Sequence, residues 1–447
     1  MNIAFIPIDN RPVCYTLPAQ ICAMNDNIKL FMPKRELLGG LTKYADVDGI
    51  FQWLETLENI DAFVICLDTI AYGGLISSRR TTDTFEEIKT RVEKLKKIID
   101  GKKVYAFSSI MRISNNNVNE EEKEYWNLWG KKIFEYSYNL DKFETVENTE
   151  IPADILEDYL ATRKRNFEIN KLYLSWGLDT LIFSKDDCAQ FGLNVQEARE
   201  LEKLGGFTKT GADEIPLTLL ARAVSQGLKN QNGTTLSMKV APIFLAPECK
   251  DLISNYEDVS IEKSVLGQLE LADCKVCDAD DADILLYVNN FEDHQGEIVM
   301  KVDTKPFSKT WQKPDKPYMI ADVRFANGAD NAFVKQLFKV GFDDNFYGYS
   351  AWNTSANTLG SLICGAIVKW MNKISNMQDD ESFKKLQVVR FLDDWAYQAN
   401  VRQVGTMQIA ELMKPFERKV FEQFDVEYSV NYSFPWNRLF EVEIELN

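Results

Sequence analysis

Histidine is the scarcest side chain here: His294 is the single one in 447 residues. Zinc sites built on two or three imidazoles are therefore excluded, and with them HExxH proteases. A Ser-His-Asp triad would rest wholly on His294, in Glu292-Asp293-His294-Gln295, and no G-x-S-x-G accompanies it. Any catalysis falls to carboxylates, Tyr, Lys and Arg. Basic charge is also short: the net charge is −17, which argues against a nucleic-acid partner, because phosphate binding needs basic patches. One basic run, Arg163–Lys164–Arg165, is too short to change this. No stretch approaches the roughly 20 apolar residues of a membrane span. The first residues, Met-Asn-Ile-Ala-Phe-Ile-Pro-Ile-Asp, lack a basic start and are too short an apolar run for a signal peptide. A cytoplasmic protein without a membrane partner is expected. The eight cysteines are scattered, and Cys274-x-x-Cys277 is half of a zinc-type pattern with no second half. Free thiols are the expected state, and no cofactor is expected. No repeat, low-complexity tract or flexible linker stands out.

What is present is a habit: polar residues follow short apolar runs. Asn2–Ile8 leads to Asp9, Asn10 and Arg11; Ala62–Leu67 to Asp68 and Tyr72-Gly73-Gly74; Thr180–Ser184 to Lys185-Asp186-Asp187; Tyr318–Ala321 to Asp322; Phe346–Ser350 to Trp352-Asn353. Chemistry at the C-terminal ends of strands is how α/β barrels and open α/β sheets build active sites. Eight main strands are predicted, near 2–8, 62–68, 103–109, 179–184, 239–245, 283–289, 317–322 and 346–350. They lack polar alternation, as parallel strands buried on both faces do. Helical segments separate most of them, which predicts an α/β fold of (β/α)₈ TIM-like barrel type. Ile28–Met32 is an extra strand-like run, either an insertion or a sign that the sheet is open. Domain expectations are a barrel over 1–374 with a helical insertion at about 115–175, and a C-terminal helical module with a β tail over 375–447.

Adjacent carboxylates at Asp186 and Asp187 close the fourth predicted strand. Two close carboxylates repel, so one pKa rises while the other stays low. That gives a general acid beside a permanent anion, which suits glycosidic cleavage; a Lys-Asp-Asp turn capping the next helix is the plain alternative. Asp68, Tyr72 and Gly73 after the second strand, and Arg112 after the third, are candidate ligand contacts. So are Asp9, Arg11, Lys185, Asp322, Trp352 and Asn353. Asp213 reads as the N-cap of the helix that follows it. Asp393-Asp394-Trp395 reads as a surface feature of the tail helix. All the strand-end candidates are expected to converge at one barrel mouth, with Trp352 or Tyr72 as a flat wall for a sugar face.

An apolar strand ending in Asp-Asp resembles the hyaluronidase/O-GlcNAcase-type glycosidases. The resemblance implies that Asp186 orients a substrate acetamide and Asp187 protonates the leaving oxygen. Arg11-Pro12, Pro247-Glu248-Cys249 and Trp352-Asn353 are shorter echoes, and Lys185 departs from the pattern. Nearly the whole chain also resembles a bacterial family catalogued as domain of unknown function 4127. The phrases that carry this are Ile8-Asp-Asn-Arg-Pro12, Asp68-Thr-Ile-Ala-Tyr-Gly-Gly-Leu-Ile76, Met111-Arg-Ile-Ser114, Gly211-Ala-Asp-Glu214, Asn327-Gly-Ala-Asp330, Trp352-Asn-Thr354 and Phe434-Pro-Trp436. The leading expectation is a glycoside hydrolase-like enzyme for a small-molecule or oligosaccharide substrate, its oligomeric state open. The alternatives are a carbohydrate- or metabolite-binding protein without turnover, and a Mg²⁺ or Mn²⁺ enzyme using Asp9, Asp68, Asp186 and Asp322.

Overall fold

A computed structural model of the chain describes residues 1–146, 150–186, 188–228, 236–377, 380–404 and 408–447. Two compact units share the chain, with interleaved segments. Met1–Tyr15, Lys29–Pro216 and Tyr256–Asp258 make the first, and Thr16–Ile28, Leu217–Asn255 and Val259–Asn447 the second.

In the first unit, β1 (Asn2–Ile6), β2 (Lys29–Phe31), β3 (Ala62–Cys66), β4 (Val104–Ile110), β5 (Thr180–Lys185) and β6 (Phe207–Thr210) pair in the order β2-β1-β3-β4-β5-β6. Every pairing is parallel. The central strands are buried on both faces, which is why they read as continuous apolar runs. Helix Phe85–Ile99 shows how the layers form. Thr84 and Glu87 make a capping box, and Ile88, Val92, Leu95 and Ile99 put one apolar stripe into the core. Between β4 and β5 come the two inserted helices, Trp126–Phe143 and Ala153–Tyr173, with their own apolar cluster around Trp126, Ile133 and Tyr159. The basic run lies in the second of them. Arg163 is buried and paired with Glu197 at 2.6 Å.

The second unit has β7 (Lys239–Phe244), β8 (Lys275–Val276), β9 (Ile284–Asn289), β11 (Tyr318–Asp322) and β13 (Phe346–Ser350), in the order β13-β11-β9-β7-β8. These pairings are parallel too. Short β10 (Gly296–Glu297) and β12 (Phe325–Ala326) form a two-stranded ladder, and β14 (Val430–Ser433) pairs antiparallel with β15 (Glu443–Leu446). In chain order each main sheet runs second, first, third, fourth, fifth, with a sixth strand added to the first sheet, so both are doubly wound, with a switch point beside the first strand.

The α/β class and the parallel strands are as expected, and all eight predicted strands exist. They do not close into one barrel among the described residues. Four go to each open sheet, because β5 pairs with β6 and β7 begins a new sheet. Ile28–Met32 is thereby explained: it contains β2, the edge of an open sheet. Residues beyond 374 belong to the second unit, with the second sheet. Helix Asp380–Arg390 continues as an 11-residue π-helix, Phe391–Val401, a form usually confined to a single turn.

Candidate functional site

The carboxyl ends of β1, β3, β4, β5 and β6 contribute charge at the edge of the first sheet. After β1, the Arg11 backbone N–H and side-chain Nε donate to Asp9, at 2.9 and 2.8 Å. The same guanidinium donates to Asp213, after β6, at 2.5 Å from Nη2 and 3.2 Å from Nη1. Asp213, expected as a helix cap, is thus held by Arg11. Burial pushes its carboxyl up to about 6; Arg11 pulls it down, and the charges of Asp9 and Asp186 raise it further.

A second centre joins β3, β4 and β5. Arg112, after β4, reaches Glu121 at 2.8 Å, Glu122 at 3.1 Å and Asp186 at 3.4 Å. Arg79, in the short helix Ser77–Arg80, reaches Glu122 at 3.1 Å and Asp186 at 3.5 Å. Both guanidinium contacts to Asp186 fall on Oδ2. Lys185, a candidate ligand contact, forms an ion pair with Asp258, which also accepts from Thr210. Asp187 lies outside the described residues.

Asp68 lies beneath this surface, fully buried. It accepts from Ser108 Oγ at 3.0 Å and from the Ser109 backbone N–H at 2.8 Å. Burial raises its carboxyl to about 6, against these hydrogen bonds and the charge of Arg79. Gly73 ends helix Leu67–Tyr72 at φ +83°, where a Cβ would lie 3.0 Å from the Ala45 backbone nitrogen. That close approach and left-handed conformation are what the glycine supplies.

Other predicted residues fall elsewhere. Tyr72 and Trp352 are each only 3% exposed, so neither presents the flat wall expected of it. Trp352 packs against Phe440, and the Arg165 guanidinium lies over the Tyr72 ring at 5.7 Å. Asp322 and Asn353 belong to the second unit. Asp322 is fully buried and accepts from Asn289 at 2.8 Å, the Asp330 backbone at 2.9 Å and Tyr349 at 3.0 Å. Burial first, then the neighbouring Asp330 charge, lifts it to about 7. Asn353, at φ +58°, accepts from the Asn327 backbone through its own carbonyl at 2.8 Å. Both residues tie strand ends together. Asp393 and Asp394, read as surface residues, are buried, and Asp394 accepts from the Ala351 backbone at 2.7 Å. At the switch point of the second sheet, Asn290 pairs its amide with both backbone groups of Ala246, at 2.8 and 2.9 Å.

Sequence reasoning missed Arg79, Glu121, Glu122 and Asp258 as site neighbours. Arg79-Arg80 and Glu120-Glu121-Glu122 are short charge runs of opposite sign, the one available signal. Tyr44 was missed as well. It is 49% exposed, and its Cβ would lie 3.1 Å from a Cβ on Gly73.

The metal reading draws on Asp9, Asp68 and Asp186 of the first unit and on Asp322 of the second. Asp68 is held by Ser108 and Ser109. Ligand atoms of Asp9, Cys14 and Asp213 do lie within 4.8 Å of one another. Arg11, however, donates to both carboxylates and sits 4.0 Å from the Cys14 sulfur, so a guanidinium already serves that anionic cluster.

The fold and the strand-end cluster define a doubly wound α/β protein with a charged carboxyl-edge site. The chain belongs to the family described as Protein of unknown function (DUF4127), which matches residues 3–412. No curated protein and no solved structure matches it. Among the described residues, no helix is long and apolar enough to cross a membrane.

Proposed function

We propose that the first unit is a glycoside hydrolase-like acid–base catalyst for a hydroxyl-rich small molecule or oligosaccharide. One observation carries the reading: two carboxyls of unlike surroundings feel each other's charge at the sheet's carboxyl edge. Asp186 is paired with two guanidinium groups, while Asp213 is pushed up to about 6, in part by Asp186 itself. A carboxyl that keeps its proton toward neutrality beside an anion is the division of labour that glycosidic cleavage needs. Asp186 supplies the negative charge that stabilises developing positive charge on the sugar. Asp213 is the proton donor, with Asp187 the alternative donor that the glycosidase resemblance implies. The exposed ring of Tyr44 is available for the apolar face of a sugar.

The test is a panel of aryl glycosides and oligosaccharides against the wild type, Asp186→Asn, Asp213→Asn and Asp187→Asn. Asp186→Asn is expected to lose turnover of every substrate. The variant at the true donor is expected to lose about 10²–10⁴-fold on poor leaving groups and far less on activated aryl glycosides. Unchanged turnover in all three variants would refute the mechanism.

A second reading, binding without turnover, is favoured by one specific fact. Asp9, Asp186 and Asp213 each already have a cationic partner, an arrangement that also builds a rigid recognition surface. Sugar binding by a wild type that hydrolyses none of the panel would establish it.

A further inference from the structure

Three carboxylates crowd the Arg79–Arg112 pair, and they are not equivalent. Glu122 is buried, 4% exposed at its side chain, and is fixed by both arginines and by Ser114 Oγ at 3.1 Å. Asp186 follows directly on β5. Glu121 is the most exposed of the three at 20%, touching Arg112 at 2.8 Å but Arg79 only at 3.8 Å. It lies on the irregular segment between β4 and helix Trp126–Phe143. The backbone of that segment is pinned independently of the Glu121 side chain. Arg79 donates to the Glu121 carbonyl at 3.2 Å, and Arg80 donates to those of Glu122 and Asn119 at 3.0 Å each. The Glu121 carboxylate can therefore swing away while the segment stays in place. Arg79 also keeps a donor in reserve: its side chain is 1% exposed, and its buried Nε has no hydrogen-bond partner.

We propose that the Arg79–Arg112 pair is a subsite for a substrate carboxylate, and that Glu121 holds that place until the substrate displaces it. The substrate class is then a carboxylate-bearing sugar of uronic-acid type. This rests on the reading of the strand-end cluster as a sugar site. Two planar guanidinium groups from different elements suit a planar carboxylate, which they can grip by parallel N–H donors. Charge points the same way. Among the described residues two cations face three anions, so a further anion is repelled unless one of the three leaves, and Glu121 is the one whose side chain is most exposed. Exchange of Glu121 for a substrate carboxylate leaves the local charge unchanged.

Calorimetry of the full chain with sodium D-glucuronate, D-glucose and inorganic phosphate tests the proposal. Wild type is expected to bind glucuronate more tightly than glucose. Glu121→Gln removes the competing charge with little change of shape, and is expected to tighten glucuronate about tenfold while leaving glucose unchanged. Arg112→Gln, checked for folding by circular dichroism, is expected to abolish the preference for the acid. Equal tightening of both sugars in Glu121→Gln, or no tightening of glucuronate, overturns the subsite. So does tighter binding of phosphate than of glucuronate, or no binding of either sugar. Hydrolysis of neutral glycosides without a preference for the acid sinks this inference and leaves the catalytic reading intact. Glucuronate preference with no hydrolysis does the reverse.

Discussion

Arg11→Met is the sharpest probe of the strand-end electrostatics. The guanidinium donates at 2.8 Å to Asp9 and at 2.5 and 3.2 Å to Asp213. All three side chains are at most 11% exposed. Methionine keeps the length and apolar stem but leaves two nearly buried carboxylates facing one another. Removing one partner from a buried ion cluster costs about 3–5 kcal/mol. Asp9 retains the backbone N–H of residue 11, so most of the loss falls on Asp213. The cost depends on pH, and its sign follows from the Asp213 carboxyl. With Arg11 present that carboxyl is already raised to about 6, although Arg11 lowers it. Without Arg11 it rises further. Between the wild-type value and the higher variant value, the variant holds a proton that the wild type has released. The deficit is therefore full above both values and shrinks by about 1.4 kcal/mol per pH unit across that window as pH falls. Urea unfolding followed by fluorescence and circular dichroism at pH 5.5 and pH 8.5 would measure it, with each unit's transition fitted separately. Arg11→Met with Asp213→Asn should recover part of the loss at pH 8.5. A deficit below about 1 kcal/mol at pH 8.5, or an equal one at both pH values, would refute the reasoning.

Three further outcomes are expected. Asp68, Asp213, Asp322 and Asp394 are all buried, with carboxyls raised to about 6, 6, 7 and 7. The folded state therefore binds more protons than the unfolded one from near 4 to just above 7, and stability falls as pH rises through that window. Calorimetric melting should be higher at pH 5 than at pH 8, and a clearly higher value at pH 8 would contradict this. Asp394→Leu strips an acceptor from the Ala351 backbone, Ser350 and Arg390, of which Arg390 keeps Asp393 at 3.0 Å. The unsatisfied Ala351 N–H is expected to cost about 1–3 kcal/mol in urea unfolding, and an unchanged stability would refute the role. In Gly130→Ala, the new Cβ would sit 2.2 Å from the Asn116 carbonyl and 2.4 Å from Trp126 Nε1. A cost of about 1–3 kcal/mol is expected, and a neutral effect would mean that the segment bearing Glu121 yields freely.

The eight long strands were legible because each centres on an apolar run without polar alternation, as strands buried on both faces do. Helix Phe85–Ile99 carries its apolar residues at a helical period, and the structure adds the Thr84–Glu87 capping box. The strands that decide the architecture were not legible. β6 reads Phe-Thr-Lys-Thr and β8 is the pair Lys-Val, so neither presents an apolar run. These are edge strands, which need no apolar second face. Without them a count of eight suggested one closed barrel. With them the chain has two open edges per sheet. Ile28–Met32, the run that did not fit the barrel count, is the piece of sequence that pointed to the right answer.

Site legibility followed a different logic. Asp9, Arg11, Arg112 and Asp186 stand at the carboxyl ends of parallel strands, and that placement survives the change from barrel to open sheet. Both architectures gather carboxyl strand ends on one edge, so the polar-after-apolar pattern predicted the edge without deciding the fold. It could not say which strands share an edge, and so it grouped Asp322 and Trp352 with residues of the other unit. Nor could it separate exposed from buried polar groups. Asp68 and Asp322 follow their strands as Asp186 does, yet both are wholly enclosed by hydrogen-bond donors, while Asp186 keeps 18% of its side chain exposed. The difference lies in the partners. Asp68 meets hydroxyl and backbone donors from a neighbouring strand, which anchor a carboxylate inside the fold. Asp186 meets two long arginine side chains, one from a helix that follows β3 and the other from the segment that follows β4. Those contacts are set by tertiary packing over 107 and 74 residues of sequence, and no local pattern encodes them.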